Sequence, residues 1–143
     1  MARDDDLVGN EHDAVAAVNA AYYAAFEARD LDAMAEVWER TDRATVTHPG
    51  WPTLHGWAKV AGSWDAIFRN TPYIQFFLTE ERIEVAGDLA WVMLDENILQ
   101  AVGAGGAVEQ QELSEARVAA INLYANTEGR WRMVVHHASA VNV

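Results

Sequence analysis

Four long segments in the second half of the chain alternate apolar and polar residues, and this pattern limits the fold more than any other feature. They span residues 73–85, 89–101, 113–125 and 130–141, and a glycine-containing connection follows each of the first three. Alternation with a period of two predicts β-strands, and consecutive strands joined by turns predict antiparallel pairing. The rest of the chain must therefore pack on a face or an end of one sheet.

The first half of the chain has a helical period instead. Apolar residues of the first segment recur at steps of three and four along one face: Val15, Val18, Tyr22 and Phe26. Asp30 stands where it can cap a short second helix, and residues 56–70 predict a third helix with its own apolar side. Between them "ATVTH" predicts a short strand that Pro49 terminates.

This order of elements predicts an α+β fold with three N-terminal helices packed on a strongly curved antiparallel sheet. Long strands curve, and helices across the concave side leave a cone with one open end. A length of 143 residues fits a single domain. We expect a disordered tail over residues 1–10 and one domain over residues 11–143.

The faces of the last hairpin follow from its register. A four-residue loop at 126–129 places Asn122, Trp131 and His137 on one face and His136 on the opposite face. Both faces are then fairly apolar, although helices cover only one of them. An uncovered apolar sheet face predicts a homodimer through the convex side.

The stretch "MLDEN" places two carboxylates in the middle of a predicted strand, and alternation predicts which face each one lies on. Alternation places Glu96 on the face that carries Val92, Leu94 and Ile98, and turns Asp95 the other way. We therefore expect Glu96 to point inward, with a raised pKa. A bulge in the strand would reverse this assignment.

Charge and composition exclude several classes of function. The net charge is −12 and the 10 Lys and Arg residues are scattered, so we expect no nucleic-acid partner and no anionic membrane. The absence of cysteine excludes disulfides, thiolate catalysis and Cys-based zinc sites. The histidines lack a metal-binding spacing, so no metal site is predicted. No apolar signal region or membrane-length run is present, which predicts a soluble, cytoplasmic protein.

The stretch "THPGWP" indicates where a pocket opens. A strand ends at His48 and Pro49, and Trp51 follows closely. Six tryptophans are many for this length, and each needs a deep core or a cavity wall. We predict that six residues contribute to binding a substrate: Trp38, Trp51, Trp64, Phe77, Glu96 and His137.

Several stretches together resemble the SnoaL-like proteins of the NTF2-like superfamily, which includes ketosteroid isomerase. They are "YYAAFEARDLDAMAEVW", a strand ending in "HPG", a helix containing "SW", the hairpin "GDLAWV" and the terminal "RWRMVVHHAS". The resemblance covers roughly residues 11–141 and implies an NTF2-like cone. The same fold hosts isomerases, dehydratases, cyclases, hydrolases and non-catalytic adaptors, so the reaction stays open.

The resemblance also implies three catalytic positions. Tyr22 matches the tyrosine that donates a hydrogen bond to an enolate oxygen in the isomerase, eight residues before the Asp-Leu that opens the second helix. His48, before Pro49, stands where the isomerase has its aspartate base, and Asn122 stands where it has a protonated acid donor. An imidazole has a suitable pKa for proton transfer, and an amide and a phenol are both donors to an oxyanion.

Structural roles are open for the same residues. Tyr22 and the tryptophans fit a core, His48 fits the cap of a loop, and Asn122 fits a bond to the backbone. The leading hypothesis is acid–base chemistry (isomerase, dehydratase, cyclase or hydrolase type) on an apolar carbonyl or polyketide-like substrate, with no cofactor required. The alternatives are a non-catalytic ligand-binding or dimerisation module, and an acidic adaptor that holds a partner on its convex face.

Overall fold

The computed structural model describes residues 4–101 and 112–142, and its helices lie where the periodicity predicted them. They are α1 (Asp4–Ala28), α2 (Leu31–Val37) and α3 (Trp57–Arg69). The side chain of Asp30 accepts a hydrogen bond from the Ala33 N–H at 3.0 Å, which is the predicted N-cap of α2. Helix α1 includes residues 4–10, which the sequence had assigned to a tail. No described helix is both long and apolar enough to cross a membrane.

The strands form one curved sheet of six. Their bounds are β1 (Thr45–Thr47), β2 (Leu54–His55), β3 (Tyr73–Ala86), β4 (Leu89–Ala101), β5 (Ser114–Thr127) and β6 (Arg130–Ala140). The order across the sheet is β2-β1-β6-β5-β4-β3, and only β1 and β6 are parallel. Strand β2 was not predicted, because two residues carry no detectable alternation. The helices cover the concave face, so the predicted α+β cone of three helices on a curved antiparallel sheet is confirmed. Most of the glycine-rich connection after β4 lies outside the described residues.

The register predicted for the last hairpin is wrong. Two residues with positive φ, Glu128 and Gly129, form its turn, as in the tight turns that connect twisted strands. A bulge between Leu123 and Tyr124 then shifts the pairing again, so that Asn122 lies opposite His136. An odd residue in one strand exchanges its two faces. The bulge therefore turns His136 inward and His137 outward.

The convex face of the sheet carries exposed apolar side chains. Met93 pairs with Ile121, and Ile121 pairs with His137 in the next strand. Phe77 is 55% exposed on this face, whereas its neighbour Phe76 belongs to the core. Phe77, predicted to contribute to substrate binding, therefore lies outside the cone, since alternation along β3 places the neighbouring ring inside instead.

Candidate functional site

Two buried histidines face each other inside the cone. His48 follows β1 and His136 lies in β6, and their ring centroids are 6.3 Å apart. The Trp64 ring is 4.7 Å from His48, and the Tyr22 ring is 5.1 Å from His136. These four residues are almost completely buried, and we call them the central cluster.

The turn after β1 explains the stretch "HPGW". The Trp51 N–H donates to the His48 carbonyl at 2.9 Å, and Gly50 has a φ of 82°. Proline followed by a residue with positive φ is typical of a type II turn, which favours glycine at the second position. The turn places the Trp51 ring 5.2 Å from the His48 ring. Trp51 is partly exposed and lies between solvent and the central cluster.

The hydrogen bonds of His48 identify its protonated nitrogen. Ser63 Oγ donates its single proton to the Val60 carbonyl at 2.6 Å. The 2.9 Å contact between His48 Nε2 and Ser63 Oγ therefore has the imidazole as donor. In a neutral ring this leaves Nδ1 of His48 without a proton, as the basic nitrogen.

His136 has the opposite tautomer. Its Nδ1 lies 2.6 Å from Asn122 Oδ1, and an amide oxygen only accepts. Nδ1 of His136 therefore carries the proton, and Nε2 is the basic nitrogen. The two buried rings thus present different nitrogens as bases.

Asn122 is the centre of a buried hydrogen-bond network. Its Nδ2 donates to Asn19 Oδ1 at 2.9 Å and to the Tyr23 hydroxyl oxygen at 3.1 Å. Tyr23 in turn donates to Glu96 Oε2 at 2.6 Å. Both amide protons of Asn122 are used in this way, so the predicted donation to a substrate oxygen conflicts with this arrangement.

Asn19 connects the network to its other end. Its Oδ1 also accepts from the Tyr124 hydroxyl at 2.7 Å, and its Nδ2 donates to Glu81 Oε1 at 3.4 Å. Glu81 lies in the bulge of β3, where Glu80 has a φ of 57°. The bulge therefore re-aims one carboxylate toward α1.

Burial shifts the pKa of four titratable groups in the site. It lowers the pKa of His48 to about 4 and that of His136 to about 3, so both rings are neutral bases at physiological pH. Burial raises the pKa of the Glu96 carboxyl to about 7, and the Tyr23 hydroxyl partly offsets this. Burial also raises the pKa of the Tyr22 phenol well above its usual value, so Tyr22 keeps its proton.

The Tyr22 hydroxyl is an unpaired donor. Within the described part of the chain it is buried and has no hydrogen-bond partner. The Tyr22 ring packs edge-on against Trp64 and Phe26. A buried hydroxyl without a partner costs about 1–3 kcal/mol, which a ligand oxygen would recover.

The other predicted residues divide between the core and the surface. Trp38 and Trp64 are fully buried, and only Trp64 contacts the histidines. Glu96 points inward, as alternation along β4 predicted, while Asp95 forms an ion pair with Arg117. His137 is exposed on the outer face, so its predicted place in the pocket is wrong because of the bulge.

The sequence reasoning missed three members of the site. His136 was assigned to the outer face, and Tyr23 and Asn19 were not considered. Asn19 and Tyr22 share one face of α1 in a helix, and that spacing was a usable signal. For His136, only the position of the bulge decides the orientation, and the sequence pattern does not mark it.

The described cavities lie outside the central cluster. Two are on the convex face, one of about 860 Å³ lies along α1 beside Trp131, and one of about 400 Å³ lies between α2 and α3. Trp64 lines the last of these and also contacts His48, so its ring separates this cavity from the two histidines. The cluster itself is closed to solvent in this conformation. Among the described residues, no group of three or more His, Asp or Glu side chains is placed to hold a metal ion.

Comparisons with known proteins agree with this architecture. The family model for the SnoaL-like domain matches residues 15–143. A solved structure of a candidate dehydratase of the NTF2-like family from Streptomyces avermitilis is 32% identical, with a TM-score of 0.86. The match covers 95% of this chain and 99% of that one.

Two further similar proteins have names that do not describe a dehydratase. A candidate calcium/calmodulin-dependent protein kinase type II association domain from Thiobacillus denitrificans is 33% identical, with a TM-score of 0.70, over 88% of this chain and 94% of that one. The F-box protein SKIP8 of Arabidopsis thaliana is 26% identical over 128 residues. That match covers 90% of this chain but spans half the length of the plant protein.

Proposed function

This chain belongs to the SnoaL-like domain family, and we propose that it is an acid–base enzyme acting on an apolar carbonyl compound of polyketide-like character. The reaction is of the isomerase, dehydratase, cyclase or hydrolase type. His48 is the proton acceptor and Tyr22 is the donor to the oxyanion. The similarity to a candidate dehydratase over nearly the whole chain supports an enzyme of this kind.

One observation supports the proposal above the others: an unpaired phenol and a neutral imidazole share the same dry cluster. The Tyr22 hydroxyl has no partner in the described structure, and burial keeps His48 neutral. A donor fixed in a dry site stabilises a developing oxyanion far better than water does.

The chemistry balances with these two groups alone. Nδ1 of His48 takes a proton from the carbon next to a carbonyl, and the C–H electron pair forms the new C=C bond. The carbonyl π pair moves to oxygen, which accepts the hydrogen bond of Tyr22. The imidazolium then returns its proton to another carbon in an isomerase, or to a leaving hydroxyl in a dehydratase. The new negative charge favours the protonated imidazole during this step.

The surroundings fit an apolar, flat substrate. Trp64, Phe26 and Phe76 form a wall of rings, with centroids about 5 Å apart. Trp51 is in contact with both solvent and the His48 ring, so it lies where a substrate would enter. We propose that Trp38 supports this wall from the core rather than touching the substrate, since its ring contact is with Trp57.

Substituted phenols of constant size and graded acidity test the proposal, because a phenolate imitates an enolate. We expect affinity to rise as the phenol becomes more acidic. Tyr22→Phe should weaken binding by roughly tenfold or more, since a hydrogen bond to a charged group is worth about 1.5–3 kcal/mol. The same variant should raise the free energy of unfolding by about 1 kcal/mol, because it removes an unpaired buried hydroxyl. His48→Gln keeps a donor for Ser63 and should flatten the dependence on phenol acidity.

Calorimetric binding and urea unfolding measure the two effects. Tyr73→Phe is the matched control, since it removes a tyrosine hydroxyl that already bonds Gln75, at 2.8 Å, away from the site. Binding that ignores phenol acidity, or that Tyr22→Phe leaves unchanged, would rule out the acid–base proposal.

A non-catalytic ligand-binding or association module is the second candidate. The closed central cluster and the similarity to a candidate kinase association domain favour it. A module of this kind needs no basic imidazole, so His48→Gln would then bind the phenols as well as the wild type does.

We also propose that two copies associate through the convex face of the sheet. Met93, Ile121 and Phe77 are each more than two-fifths exposed there, and His137 borders them. Ile121→Glu should convert a dimer to a monomer in sedimentation velocity, because it introduces a charge into an apolar contact. Leu31→Glu, which alters an exposed leucine of α2, is the control and should stay dimeric. A wild type that is monomeric throughout, or an Ile121→Glu dimer, would contradict this interface.

A further inference from the structure

We propose that His136 is a second proton-transferring residue of this site, and that Glu96 and Tyr23, acting through Asn122, are its positioning residues. The inference rests on the proposed acid–base function and extends it from one basic nitrogen to two.

The hydrogen bonds between His136 and Glu96 all point the same way. His136 donates through Nδ1 to Asn122, Asn122 donates to Tyr23, and Tyr23 donates to Glu96, at 2.6, 3.1 and 2.6 Å. Bonds aligned in one direction polarise each other, and a negative charge at the accepting end strengthens all of them. A positive charge on the imidazole is therefore favoured when Glu96 is ionised.

The chain of bonds also fixes which nitrogen of His136 is basic. Nδ1 is occupied by Asn122, so a substrate proton can be accepted only at Nε2. Rotation of the ring would leave a buried donor and a buried acceptor unpaired, which is unfavourable. His48 has the reverse arrangement, since Ser63 occupies its Nε2.

Glu96 accepts a hydrogen bond from Tyr23 but has no cationic partner among the described residues that would offset the cost of its burial. It is 3% exposed in the middle of β4. Among the ion pairs of the described residues, none includes Glu96. A buried carboxylate without a cation is costly, and such groups concentrate at functional sites.

Two bases extend the chemistry of the site. His136 accepts a proton at Nε2 while the electron pair of the broken bond stays on the substrate. His136 returns this proton to a product carbon or to the leaving group when the enolate collapses. In hydrolysis or cyclisation, His48 accepts the proton of the attacking water or substrate hydroxyl as that oxygen bonds to the electrophilic carbon, and it then protonates the leaving group or the new alkoxide. No proton moves along the chain to Glu96, because an amide lies between them. Asn122, Tyr23 and Glu96 only orient the ring and stabilise its charge.

Other titratable groups surround His136 and Glu96, and any pH experiment has to distinguish their titration from that of these two residues. They are Tyr22 and Tyr23 from α1, His48 after β1, Glu81 from β3, Tyr124 from β5 and His137 from β6. Glu81 is the useful comparison, since it contacts the same network through Asn19 at 3.4 Å but lies outside the aligned chain.

Long-range 1H–15N spectra of the imidazole rings test the positioning without any ligand. We expect a proton on Nδ1 of His136 and on Nε2 of His48. Between pH 5 and 8.5 the His136 resonances should shift as Glu96 ionises. Glu96→Gln, whose amide oxygen still accepts from Tyr23, should keep the tautomer and abolish the shift, whereas Glu81→Gln should retain it. A His136 proton on Nε2, or a shift that persists in Glu96→Gln, would overturn the inference.

Phenol binding tests the role in proton transfer and separates the two proposals. In the wild type the affinity should follow phenol acidity, and His136→Gln should reduce this dependence by about half or more. If the wild type follows phenol acidity and His136→Gln does so equally, the inference fails while the proposed function stands. If the wild type shows no such dependence, the proposed function fails and His136 loses its role in proton transfer with it.

Discussion

Replacing Asn122 by alanine is expected to lower the free energy of unfolding by about 3–5 kcal/mol, because one side chain satisfies several buried groups at once. The substitution removes the acceptor of His136 and the donors to Tyr23 and Asn19. Each buried polar group left unpaired costs about 1–3 kcal/mol, and a small cavity adds to this.

Urea unfolding of the two variants Asn122→Ala and Asn97→Ala measures the difference. Asn97 is the matched control, since its amide also makes two hydrogen bonds, to the Phe77 carbonyl and to Thr79 Oγ1, but on the exposed face of the sheet. Water can replace those bonds, so we expect a loss of only about 1 kcal/mol there. Equal losses in the two variants would show that the Asn122 network contributes nothing beyond ordinary surface hydrogen bonds.

Periodicity predicted the elements of this fold because each pattern is local. Tyr73–Ala86 alternates on either side of its bulge, and Trp57–Arg69 places Val60 and Trp64 on one buried side. The cap at Asp30 was also readable, since an N-cap involves only the next few residues. Strand β2 was missed, since a two-residue strand is defined only by its pairing with β1.

The site was less predictable because its contacts join distant parts of the chain. Asn122 bonds Asn19 and Tyr23 across about 100 residues, and no local pattern specifies such pairs. Alternation placed Glu96 correctly, since β4 is regular through that residue. It failed for His136 and His137, because one bulge in the last hairpin exchanges the faces. The resemblance gave Tyr22 and His48 as candidates but could not show that Asn122 has no free proton to donate.

Acid is expected to destabilise this protein through the same buried histidines. Burial lowers the pKa of His48 to about 4 and that of His136 to about 3, against about 6.5 in an unfolded chain. Between these values the unfolded state binds more protons, so the free energy of unfolding falls as the pH drops below about 6.5. Glu96 acts in the opposite direction, because burial raises its pKa to about 7 and the folded state holds the extra proton above about pH 4.5.

These opposing groups predict that the free energy of unfolding depends on pH in two distinct ranges. From about pH 6.5 to 4.5 the gain at Glu96 cancels the loss at one histidine, so stability falls gently. Below about pH 4.5 Glu96 is protonated in both states and no longer offsets the histidines, so the fall steepens. The Glu39 carboxyl, whose pKa the Arg43 guanidinium lowers to about 2, adds to the loss below about pH 4.5.

Single substitutions show which histidine causes the loss of stability in acid. In His136→Gln one of the two titrating rings is absent, so the stability difference between wild type and variant should shrink by about 1.4 kcal/mol per pH unit below about pH 6. Urea unfolding at pH 8, 6, 5 and 4 measures it, with the pH 8 value as the baseline for the loss of packing. His48→Gln should behave in the same way, and the double variant should lose both contributions. A difference that stays constant from pH 8 to pH 4 would mean that these rings accept protons as readily in the folded protein as in the unfolded chain, and neither could then be the dry, neutral base that the proposed chemistry requires.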